Sequence, residues 1–192
     1  MAFPHWEYFL TLDDDLERLA RYIEFTRDNF ATYSVELVRV ILAAGSEIDV
    51  VAKNLCRDLN PLGRFENIDH YREEMIGNYP LFPTLKVNLP RYGLTFEPWA
   101  AWGKAVNPAW WRSHTDVKHH RDSHYRQANL ENTLNAVSGL FALLLYYYQS
   151  DLYKHQLLPW PKILHLPQDH YKDFRLGGTY ELPDFGSSRG KS

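Results

Sequence analysis

Arg112 and His119 stand seven residues apart in the run Trp110-Trp111-Arg112-Ser113-His114-Thr115-Asp116-Val117-Lys118-His119-His120-Arg121. In a helix that step is close to two turns. Both side chains then point the same way, about 10.5 Å apart along the axis. A planar guanidinium can brace a phosphate through its donor fork. An imidazole titrates near neutrality and can take or give a proton. The pair could therefore handle a phosphodiester. The plainer alternative is a solvated basic helix start with no chemistry at all.

The surroundings extend the pattern. Lys104, Arg112, Lys118, Arg121 and Arg126 form a local basic stretch interrupted by Asp116 and Asp122, with Trp110, Trp111 and Tyr125 interleaved. Charge with stacking rings is the chemistry of single-stranded RNA binding, although a tryptophan pair also suits a core. Glu47 lies on or beside an apolar helical stripe, where a lone carboxylate is costly. It either reaches solvent or pairs with Arg112, Lys118 or His119. His120 and His124 have a metal-helix step, with His114 near, but the glutamate of the HExxH pattern is absent, and no metal or cofactor is expected.

The elements that must position these groups follow from periodicity. Leu12, Leu16, Leu19 and Ile23 predict a helix over 12–28, capped by Thr11 or Asp13. Leu37, Val40, Ile41, Ala44, Ile48, Val51 and Leu55 predict a second over 30–58, weakened locally by Gly45. Residues 67–77 read as a short helix. Pro80, Pro83, Pro90, Pro98 and Pro108 exclude a continuous helix over 78–109, where alternation at 85–89 and 94–97 around Pro90-Arg91-Tyr92-Gly93 predicts a small β-hairpin insertion. A helix over 109–118 should precede a longer one over 121–153, so apolar around its girth that it is central or buried against a second copy. From 157 onward an extended tail should lie along the helices, and 186–192 should be disordered.

Composition narrows the classes. At 192 residues the chain suits one domain, here 1–156, plus the tail 157–192. A net charge of -3 means that any nucleic-acid binding is local. The single cysteine, Cys56, excludes an internal disulfide and fits a reducing cytoplasm. The first residues lack a signal-peptide pattern, and no run of about 20 apolar residues is present, so no membrane span is expected. There is no phosphate-cradling glycine loop and no serine-nucleophile elbow.

Three segments together resemble the HEPN superfamily of α-helical domains: Glu47-Ile48-Asp49-Val50-Val51-Ala52-Lys53, the run from Trp110 to Arg121, and Ala128-Asn129-Leu130-Glu131-Asn132-Thr133-Leu134-Asn135-Ala136. The resemblance covers roughly 10–155 without the insertion. It implies an all-α, antiparallel helical bundle with a hairpin insertion and an extended C-terminal tail. Many members are metal-independent endoribonucleases of toxin, antiviral and RNA-processing systems, with Arg, four to six residues, then His. Arg112 and His119 match at the long end of that range. Ser113 stands where the family often has another polar residue, and Thr115 where one subgroup has Asn.

The implied roles are His119 as base or acid, Arg112 bracing the phosphate, Lys118 stabilising charge, and Ser113 or Thr115 orienting phosphate or water. Glu47 would hold Arg112 or His119. Lys104, Arg121, Arg126 and Tyr125 would bind RNA. Members commonly form homodimers with two motifs facing one cleft, and some act with an antitoxin or other protein partner. The alternative is a non-catalytic nucleotide- or RNA-binding or scaffold module, in which Arg112, Glu47 and His119 are a buried polar cluster.

Overall fold

The computed structural model describes residues 3–153, 157–167, 171–172, 179–180 and 182. It is mostly helical, with a small antiparallel hairpin. The expected disorder of 186–192 lies outside the described residues.

The first helix, α1 (Pro4–Leu19), starts and stops earlier than the 12–28 span expected from the sequence. Pro4 in the first turn presets the backbone for helix. Trp6 and Phe9 continue the buried stripe of Leu12, Leu16 and Leu19 toward the N-terminus. Thr11 and Asp13 are therefore interior residues and not caps. Helix α2 (Val35–Leu59) begins where the Ser34 hydroxyl accepts the Leu37 N–H at 3.2 Å. Its apolar stripe is buried as the spacing predicts. Helix α3 (Ile68–Asn78) is capped by Asn67, whose side chain accepts from the N–H groups of Asp69 and His70.

The hairpin pairs β1 (Val87–Leu89) with β2 (Leu94–Phe96) in the register Val87↔Phe96, Asn88↔Thr95, Leu89↔Leu94. Gly93 closes the turn at φ 61°, a left-handed conformation costly for other residues. The four apolar strand residues face inward, while Thr95 donates to Asn88 at 2.9 Å on the outer face. The segment expected as an insertion is part of the core: Phe82, Leu85, Trp99 and Trp102 are buried. Trp99 Nε1 donates to the Gly139 carbonyl at 3.0 Å, tying this segment to the last long helix.

The helix expected over 109–118 is α4 (Ala109–His119). One helix was expected over 121–153, and the chain instead forms α5 (Arg121–His124), α6 (Leu130–Tyr147) and α7 (Gln149–Tyr153). The break before α6 has a local cause. The Asn129 side chain accepts the Asn132 N–H at 3.0 Å. Leu130 and Glu131 donate their N–H groups to Thr32 and Phe30, so the first turn is satisfied by the loop before α2. From Ala136 to Tyr146 helix α6 is buried on every side, with α1, α2 and α4 packed around the helix within one chain. Its apolar girth is thus explained without a second copy. No described helix is long and apolar enough to cross a membrane.

The described tail is a strap across α1. Trp6 Nε1 donates to the Pro159 carbonyl at 3.1 Å. The buried Asp13 carboxylate accepts the backbone N–H groups of Lys162 and Ile163. Lys162 Nζ also reaches Asp14 and Glu17, each at 2.9 Å. His165 exchanges backbone hydrogen bonds with Asn88 on the hairpin. Two-residue strands β3 (Tyr171–Lys172) and β4 (Thr179–Tyr180) pair further along. Burial pushes the Asp13 carboxyl up, against the backbone donors that favour its charged form.

Asp13→Ala leaves the buried Ile163 N–H without its acceptor, at about 1–3 kcal/mol, and the part-buried Lys162 N–H at a smaller cost. Urea unfolding should show that loss, and Asp13→Asn, which keeps an acceptor, should lose less. A loss no greater than that of the exposed Thr11→Ala would remove the strap's role in stability.

Candidate active site between α2 and α4

Helix α4 turns Trp110, Ser113, His114 and Val117 inward and leaves Arg112, Thr115, Lys118 and His119 exposed. Where it lies against α2 there is a cleft of about 240 Å³. Ser46 and Asp49 line it from α2, and Trp111, His114, Thr115, Lys118 and His119 from α4. The α4 members recur at steps of three and four, one face of a helix.

The structure gathers some of the expected site residues and separates others. Thr115, Lys118 and His119 meet at the cleft. Arg112 is exposed on α4 but is not among the lining residues. Ser113 is buried, and its hydroxyl accepts from Asn132 Nδ2 at 3.0 Å, so it ties α4 to the start of α6. Thr115 donates to the Trp111 carbonyl at 3.0 Å and keeps its acceptor capacity.

The pairing expected for Glu47 is corrected. Its partner is His5 Nδ1 on α1, at 2.5 Å, and not Arg112, Lys118 or His119. Successive helical residues are rotated by about 100°, so if Ser46 and Asp49 face α4, Glu47 is turned away from it toward α1. Lys104 is exposed in the 3-10 turn Ala100–Lys104, and Arg121 is exposed on α5. Tyr125 packs edge-on against Tyr33 at 5.8 Å, and the Arg126 guanidinium lies over the Tyr33 ring at 5.7 Å. These basic and aromatic residues sit outside the cleft lining.

His114 was noted in the sequence only as a neighbour of the His120 and His124 pair. Its side chain is 3% exposed, and neither ring nitrogen has a hydrogen-bond partner among the described residues. Burial pushes its pKa down to about 4, with the Lys118 charge acting in the same direction, so the ring is neutral. It lies against the α2 backbone at Gly45, where a Cβ would come within 2.3 Å of the imidazole. Gly45 had signalled only a weak point in α2. It is the gap that admits the ring, and a glycine inside an apolar helical stripe was the available clue.

Asp49 and Ser46 were not singled out. Asp49 Oδ1 accepts from the buried Tyr71 hydroxyl at 3.1 Å, which orients the carboxylate. Trp111 is half-buried, braced edge-on by Trp110 at 5.9 Å and by the tilted His114 ring at 5.3 Å. The His120 and His124 rings are 6.2 Å apart, and among the described residues no three His, Cys, Asp or Glu converge to hold a metal ion. Cys56 is buried, with burial pushing its thiol up to about 12, a poor nucleophile.

The cleft thus combines an exposed imidazole and an exposed ammonium with a buried neutral imidazole, a hydrogen-bonded carboxylate and a half-buried indole. No family model matches the chain, and no curated protein and no solved structure matches it significantly.

Proposed function

We propose that α4 carries the active site of a metal-independent endoribonuclease of the HEPN type. The observation that supports this reading is the exposure of Arg112 and His119 on one helix, with His119 and Lys118 at the mouth of a cleft. His119 takes the proton from a ribose 2′-hydroxyl or gives one to the departing 5′-oxygen. Arg112 braces the non-bridging phosphate oxygens with its fork, and Lys118 offsets the charge that builds at phosphorus. Arg112 is some 10 Å along the axis from His119, so the substrate backbone runs along α4. A second copy of the chain facing α4 would supply a second Arg–His pair. A toxin or phage-defence setting, with an antitoxin or other protein partner and a cytoplasmic location, belongs to the same reading.

A non-catalytic RNA- or nucleotide-binding module of the same fold is the second reading. It is favoured by Arg112 standing outside the cleft lining and by the engagement of Ser113 with Asn132.

The test is an RNA oligonucleotide and its all-2′-deoxy counterpart, each incubated with the protein in chelator. The nuclease reading expects cuts in the RNA alone, leaving 2′,3′-cyclic phosphate ends. Binding of the RNA with no cut moves the assignment to the second reading.

A further inference from the structure

The α2–α4 cleft has more in it than proton transfer requires. It holds an oriented carboxylate, a fixed indole face and a buried imidazole with no partner. We infer that it is a guanine pocket: the base lies along Trp111 and presents its N1–H and N2 amino group to the Asp49 carboxylate. This rests on the RNA reading for its biological substrate, and it names the base beside the bond that is cut.

The argument begins with Asp49. An ionised carboxylate only accepts hydrogen bonds. Its Oδ1 is already steadied by Tyr71, and the remaining lone pairs are available toward the cleft it lines. Guanine offers two adjacent donors on its Watson–Crick edge. Adenine and cytosine each place an acceptor nitrogen beside their amino group, and uracil places its one donor between two carbonyls. Each of those three sets an acceptor against the carboxylate, and guanine alone does not. A site built on donors a competitor lacks discriminates strongly, because the mismatch leaves polar groups unpaired.

Trp111 provides the surface. Bracing by Trp110 and His114 holds the indole in place, and a nucleobase stacks on such a ring whatever its identity. The cleft volume, about 240 Å³, lies below that of pockets for drug-sized ligands and suits a single base.

His114 supplies the independent observation. Buried polar atoms are almost always paired, and both nitrogens of this ring are not. The α2 backbone at Gly45 closes one side of the ring, and the cleft is on another. A turn of the ring toward the cleft lets its N–H donate to guanine O6, next to the edge held by Asp49. A neutral ring is required for Lys118 and His119 to sit nearby without repulsion. Lys118 and His119 at the mouth then meet the phosphate.

Calorimetric titration of the whole protein with 5′-GMP, 5′-AMP, 5′-CMP and 5′-UMP tests this directly. GMP is expected to bind at least about tenfold more tightly than the others. Asp49→Asn, whose amide oxygen can still accept from Tyr71, is expected to lose that preference at an unchanged melting temperature. Equal affinity for the four nucleotides, or binding of none, overturns the guanine pocket with no variant needed. RNA cleavage without base preference overturns it and leaves the nuclease standing. GMP preference with no RNA cleavage does the reverse.

Discussion

His119→Ala is expected to melt with the wild-type protein and to cleave RNA about 10²–10⁴-fold more slowly. The two halves of that result have separate causes. The side chain is exposed at the last residue of α4, so its removal opens no cavity and strands no buried partner. Its imidazole is exposed where α4 lines the cleft, whereas His114 is buried and held neutral. Arg112→Lys is a useful companion, since it keeps the charge and removes the planar fork. Rates with both substitutions together separate a shared role from independent ones. Undiminished cleavage by pure His119→Ala protein would falsify the assignment, and a large fall in its melting temperature would make the residue structural.

Acid should unfold this protein through His114. The free imidazole titrates near 6.5, and burial in the folded chain lowers that to about 4. As pH falls through 6.5, the unfolded chain binds a proton that the folded chain refuses until about 4. Protonation therefore favours the unfolded state across that window, and stability is full above it and lost within it. The shift corresponds to about 3 kcal/mol, to an order of magnitude. Urea midpoints measured between pH 7 and 4 should fall accordingly. His114→Leu removes the titrating group and its two unpaired nitrogens, and its curve should be flatter by that amount. Parallel curves for the two proteins would mean that His114 is not the group responsible.

Much of the helical frame can be read from periodicity, because α2 carries one unbroken stripe and the hairpin has Pro90 and Gly93 at its turn. Several of the failures share one cause: partners distant in sequence. Asp13 looks like a cap because short acidic residues favour helix starts, and its true acceptor role depends on a strap 149 residues away. Glu47 could not be paired correctly while α1 was placed after His5. The Asn129 cap was not singled out, and the apolar run beyond it invited a single long helix. At the site, Arg112 and His119 were legible as neighbours on a helix. The cleft was not, since Ser46 and Asp49 join it only once α4 has packed against α2. His114 needed the same step: its burial follows from the space at Gly45, a property of two helices and not of either one.

The strap has a consequence for how the chain is made. Helix α1 leaves the ribosome well before the strap, because the amides that satisfy its Asp13 are translated 149 residues later. At ordinary elongation speeds that delay is on the order of ten seconds. Until then water must solvate the Asp13 carboxylate, and α1 cannot take up its final seat under the strap.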